Sequence, residues 1–237
     1  MDKRIRLGTI MNAEKSKPIR LNIPFYRQHY EFTCGPASLM MAMKYFDANL
    51  PLTRNVEMDI WRESNMIEIY GTSRFGLAYS AATRGFCARA TSNTGGIDYV
   101  DRLALPIEDL NEEMLKLLFN ERKARCKKLG VEEKLEAITS ESIYNSLASG
   151  HIPLVVTNAL FLRGENLPHW IAITGIDDKF MYFNNPLSAK QRNKKFLLSN
   201  LEKVIGYQGD QSMVEIWKAK SLFFLGAFLG IAVTKGN

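Results

Sequence analysis

Residues 28–46 read QHYEFTCGPASLMMAMKYF, and the rest of the chain is best understood outward from them. Ala37 to Phe46 is apolar almost all round. A helix with that character belongs in the middle of a domain. Thr33 stands where an N-cap belongs, and Pro36 is tolerated in a first helical turn. The pattern therefore predicts a buried central helix with Cys34 in its first turn. The thiolate is the nucleophilic form of cysteine, and a helix N-terminus stabilises it.

Upstream, residues 20–27, RLNIPFYR, read as extended, with Pro24 holding its predecessor out of the helical region. Downstream, the spacing predicts helices over about 54–64 and 74–84, the second closed by Gly85. Phe86 to Thr91 reads as a strand, followed by a loop containing Gly95-Gly96. Pro106 to Leu129 reads as a long helix, acidic at its start and basic at its end, which suits the helix dipole. Thr139 or Ser140 caps a short helix that stops at Gly150. Ile152 to Ala159 is a buried strand. Trp170 to Ile176 and Phe180 to Phe183 form a hairpin around the turn residues Asp177-Asp178-Lys179. Residues 213–218 and 228–234 add strands. Helices come first and strands later, which argues for an α+β fold. One domain over residues 1–237 is the economical reading, with a helical half over about 20–150 and a sheet half over about 151–237.

The chain has 237 residues, with 31 Lys+Arg against 25 Asp+Glu, a formal charge of +6. A hydrophobic fraction of 46% excludes disorder over most of the chain. Three cysteines, Cys34, Cys87 and Cys126, exclude a disulfide scaffold and favour reduced thiols in a reducing compartment. The first 18 residues are charged and contain no sustained apolar core of a signal peptide. The longest apolar run, Leu222 to Val233, is shorter than the roughly 20 residues that span a bilayer. These features predict a cytoplasmic protein without a membrane span. The basic cluster from Arg122 to Lys128 is read as the end of a helix and not as a nucleic-acid surface. No metal or organic cofactor is called for.

A catalytic thiol needs an imidazole, and the chain offers three. His29 and His151 read as surface loop residues. His169 stands at the start of the predicted hairpin. Folding back at Asp177–Lys179 brings Asn185 close to His169, with Asn184 as its rival. An amide oxygen there would accept from the ring and set its orientation. Gln28, at the mouth of the central helix, could donate to a developing oxyanion together with the backbone N–H of Cys34.

The segment PFYRQHYEFTCGPASLMMAMKYF (24–46) resembles the bacterial double-glycine, or bacteriocin-processing, peptidases of the papain-like superfamily. The stand-alone members of that group are the nearer match. WRESNMIEIYGTSRFGLAYSAATRGF (61–86) and GHIPLVVTNALFLRGENLPHWIAITGIDDKFMYFNNP (150–186) extend the likeness in order. The resemblance implies a papain-like cysteine peptidase fold, a helical half packed against an antiparallel sheet, with the site between them. It makes Cys34 the nucleophile, His169 the general base and acid, Gln28 the oxyanion donor and Asn185 the third member. Relatives usually carry Asp-Pro where this chain has Asn185-Pro186. An asparagine still orients a histidine, but it stabilises the imidazolium less than a carboxylate.

The function expected on this basis is a thiol hydrolase that cleaves a peptide or amide bond through a Cys34 thioester. Two alternatives share the site. One is an acyltransferase in which an amine or thiol replaces water. The other is a weak or inactive relative that binds a peptide or protein partner in the cleft.

Overall fold

The computed structural model describes residues 17–66, 71–97 and 112–219. A two-residue strand, β1 (Ile19–Arg20), opens it. Helix α1 spans Cys34–Phe46, and every residue from Cys34 to Met43 is buried, as its apolar sequence requires. Thr33 sits at the N-cap position but does not cap with its side chain. Its hydroxyl donates to a carboxylate oxygen of Glu57 at 2.5 Å and accepts from the N–H of Tyr30 at 3.3 Å, so it serves the preceding loop and not the helix.

Helices α2 (Arg54–Ser64) and α3 (Arg74–Thr83) occupy the expected segments. Here the caps are regular: Thr53 accepts from the N–H of Val56, and Ser73 from that of Gly76. Gly85 follows α3 with φ +81°, the left-handed conformation that favours glycine. Strand β2 covers Cys87–Ser92. Helix α4 is described over Glu112–Lys128, and its predicted start, residues 106–111, lies outside the described residues. Strand β3 (Glu132–Leu135) was not expected, because EEKL is exposed at every position and has no apolar face to read.

Helix α5 (Ser140–Ala148) begins with a reciprocal capping box between Thr139 and Ser142. Strand β4 (Ile152–Asn158) leads through the short helix α6 (Leu160–Arg163) to β5 (Pro168–Ile176). The hairpin closes with β6 (Phe180–Asn184), its turn held by Asp177, which accepts from the N–H groups of Lys179 and Phe180. Strand β7 (Lys194–Leu197), helix α7 (Leu201–Val204) and strand β8 (Ser212–Trp217) complete the described fold. The strand expected over 228–234 lies outside the described residues.

The strands form one sheet in the order β3-β2-β8-β4-β5-β6-β7, with β1 also on β5. Every pairing is antiparallel except β2 with β3. The division into a helical and a sheet half is thus looser than the sequence suggested. Strands β2 and β3 come from the first part of the chain and join the sheet through β8, a pairing over long sequence distance that no local pattern encodes. Alternation along the inner strands sets the layers. Leu154, Val156, Trp170 and Ala172 pack in one core cluster with α1. Val155, Ile171 and Ile173 pack in another with Ile143 and Leu147 of α5. Helix α1 is thereby laid against β5, and the first turn of one meets the first residues of the other.

Candidate active site

The contact between α1 and β5 is made close by small size and fixed by hydrogen bonds. A side chain at Gly35 would collide with the Thr72 hydroxyl and press on the Trp170 ring. Trp170 donates from its indole to the carbonyl of Thr72 at 3.1 Å, and Ser38 donates to the carbonyl of Trp170 at 3.2 Å. The backbone N–H groups of Trp170, Gly35 and Cys34 itself lie near enough to the Cys34 sulfur to favour its ionised form. Cys34 therefore lies beside the residue that follows His169.

His169 is fixed from the other side. Its Nε2 lies 2.8 Å from Oδ1 of Asn185, with both side chains buried. The amide's orientation is set by its remaining partners: the N–H of Leu187 donates to Oδ1 at 3.1 Å, and Nδ2 donates to Oε1 of Gln191. The atom facing His169 must then be an acceptor, so the ring proton sits on Nε2 and the lone pair on Nδ1. Gln191 supports Asn185 a second time, its carbonyl accepting from the Asn185 N–H at 3.1 Å. Asn184, the rival, is turned away. It donates to the carbonyl of Ile23 and accepts from the N–H of Asn193, a structural role between β6 and its neighbours.

Gln28 is buried, and its position at the mouth of α1 is as expected. Its amide nitrogen, however, donates to the carbonyls of Tyr30 at 2.8 Å and of Glu31 at 3.3 Å, while Oε1 has no partner. Both of its N–H groups are thus engaged in its own loop. That loop is pinned by a residue the sequence reading passed over. Glu57 of α2 is completely buried. It accepts from the Tyr26 hydroxyl at 2.9 Å, from the His29 N–H at 2.9 Å and from Thr33. The ring nitrogen Nδ1 of His29 lies 2.8 Å from it. His29 is exposed in a loop, as expected, and tethered there by Glu57. His151 departs from the surface reading: it is half-buried, stacks on Trp217 at 4.1 Å and meets Glu215 at 3.3 Å, because β8 runs beside the loop that carries it.

Burial governs the electrostatics. Cys34 is 9% exposed and His169 4%. Loss of solvent pushes the thiol up, and the three backbone N–H groups and the charge of Arg163 offset only part of the rise. Loss of solvent holds His169 down at about 4, against the pull of Asn185. Both groups are therefore neutral at pH 7, where the sequence alone had pointed to a thiolate beside an imidazolium. Arg163, from the connection between β4 and β5, also acts on both. A cavity of about 370 Å³ lined by Arg89, Lys134 and Glu215 contains none of Cys34, His169, Asn185 or Gln28. Among the described residues no three His, Cys, Asp or Glu side chains converge as metal ligands. No helix among them is long and apolar enough to cross a membrane, and the apolar run 222–233 lies outside them.

Comparison with known proteins identifies the family and the fold. Residues 23–203 match the Peptidase C39-like family. An uncharacterized protein of Bacillus subtilis, YvpB, is 30% identical over 100 residues, which is 35% of this chain and 39% of that protein. A candidate C39-like peptidase from Bacillus anthracis, known from a crystal structure, shares the fold with a TM-score of 0.50 at 17% identity. That match covers 86% of this chain and all of the other. A double-glycine-motif protease from an AMS/PCAT transporter, solved with its leader peptide, scores 0.43 at 16% identity over 84% of this chain and 96% of that one.

Proposed function

Because this chain belongs to the Peptidase C39-like family, we propose that it is a thiol peptidase in which Cys34 attacks a peptide or amide carbonyl. The observation that carries the proposal is the buried pair of His169 Nε2 and Asn185 Oδ1 at 2.8 Å. With Nε2 committed to Asn185, the Nδ1 lone pair of His169 is the one assigned as base for the Cys34 thiol, at the start of α1. In the reaction the sulfur–carbon bond forms as the thiol proton passes to Nδ1. The backbone N–H of Cys34 and one N–H of Gln28 hold the oxyanion, which requires Gln28 to release a carbonyl of its own loop. The longer of its two bonds, to Glu31, is the one to give way. His169 then protonates the leaving amine, and water activated by the same nitrogen hydrolyses the thioester.

Starting from a neutral pair, proton transfer and attack occur together, and substrate binding must first expose the sulfur. The alternative of a binding relative without turnover draws on that burial. A peptide library incubated with wild type and Cys34→Ala separates the two. Cleavage by wild type alone is the expected result. Equal binding with no cleavage at stoichiometric enzyme would favour the binder. Added amines trapped in the product would show acyl transfer in place of hydrolysis.

A further inference from the structure

The connection from β4 to β5, residues 159–167, lies beside the site and is joined to the loop ahead of Cys34 by one contact. Arg163 Nη1 lies 2.7 Å from a carboxylate oxygen of Glu31, 132 residues away in the chain. Its other terminal nitrogen lies 2.6 Å from Glu165. The Arg163 side chain is 23% exposed, whereas that of Glu31 is 80% exposed. We infer that Arg163 is the anchor for an acidic side chain of the peptide substrate next to the bond cleaved, and that Glu31 occupies that place in the free protein. The inference rests on the thiol peptidase reading.

Four observations carry it. First, guanidinium is the group whose planar fork fits a carboxylate, and here the fork is incompletely used: Nε is buried without a hydrogen-bond partner. Second, the carboxylate it now holds is largely in water, where such a pair contributes little and exchanges readily. Third, the pair stands at the reacting groups: the charge of Arg163 acts on Cys34 and His169, and that of Glu31 on His169. Fourth, Glu31 is engaged twice. Its side chain holds Arg163, and its backbone carbonyl accepts from Gln28. A substrate carboxylate that displaces Glu31 from Arg163 loosens the segment whose carbonyl occupies the oxyanion donor. Recognition and completion of the site are then one event. Leu160 and Phe161, each 49% exposed on the same connection, offer apolar contact to the neighbouring substrate residue.

The test needs no known substrate. Cys34 is alkylated with iodoacetate and with iodoacetamide, reagents that differ by one negative charge. In each, the sulfur–carbon bond forms, iodide leaves and the thiol proton is released. The ratio of the two rates is measured by mass spectrometry in wild type, Glu31→Gln, Arg163→Gln and Arg163→Lys. Removing the competing carboxylate in Glu31→Gln should raise the iodoacetate preference by roughly 5-fold or more, and Arg163→Gln should lower it about 10-fold. Arg163→Lys should fall between. The ratio cancels changes in folding or thiol reactivity, since both reagents meet the same molecules. An unchanged ratio in Arg163→Gln overturns the inference. The peptidase reading fails by a different result, an alkylation rate indifferent to His169, so the two failures are distinguishable.

Discussion

At the residue scale, His169 is oriented by an amide where a carboxylate would also hold its charge. Replacing Asn185 with Asp keeps the acceptor facing Nε2 and adds a negative charge, with Gln191 turning its amide to donate. The variant should raise the His169 pKa from about 4, so that the neutral base is lost and Cys34 alkylation slows at a higher pH than in wild type. Measuring that rate from pH 4 to 10 checks it, and an acid limb that does not move contradicts it. Glu57 makes a second case. Glu57→Ala leaves the His29 N–H without its acceptor, removes the carboxylate shared by the Tyr26 and Thr33 hydroxyls and opens a buried hole, and should cost on the order of 3 kcal/mol in denaturant unfolding. Cys34, His169 and Asn185 could be singled out from the sequence because each has a local signal: a helix start, a strand start and a turn. Glu57 and Arg163 could not. The first glutamate of RNVEMDIWRES and an arginine between two strands look like solvated charges until the chain brings Tyr26, Thr33 and Glu31 to them.

At the element scale, α1, α2, α3 and α5 were legible nearly to the residue because their apolar patterns, caps and closing glycines are local, whereas the four-residue helices α6 and α7 were not read. Thr139 anchors α5 through a capping box. Thr139→Ala should cost about 1 kcal/mol, read as a shift in the urea midpoint without a change in slope. Gly76 shows what local pattern does not reveal. A Cβ there would stand 2.5 Å from the Cα of Ser64, where α3 crosses the end of α2. Gly76→Ala should therefore destabilise by more than about 2 kcal/mol, although helix propensity alone predicts a gain. The polar edge strand β3 and the insertion of β8 between β2 and β4 escaped the sequence for the same reason: they are pairings, and pairing partners lie far apart in the chain.

At the scale of the whole molecule, the buried site links stability to pH. His169 falls from 6.5 to about 4 on folding, so the unfolded chain binds the extra proton between those values. Its contribution to stability is complete above pH 6.5 and is lost toward pH 4, on the order of 3 kcal/mol. Cys34 shifts upward from 9.0, and its contribution is lost only as pH rises above that. Denaturant midpoints at pH 7.5 and 4.5 should differ less in His169→Gln than in wild type, and an equal drop would contradict the assignment.

The most direct test is the alkylation rate of Cys34 by iodoacetamide at pH 7 in wild type and His169→Ala, with Cys87 and Cys126 read in the same spectra as internal standards. A base acting on the thiol predicts a rate at Cys34 about 100-fold lower in the variant, with the other two cysteines unchanged. Equal rates at Cys34 in both proteins would show that His169 does not serve the sulfur, and the catalytic account would fall.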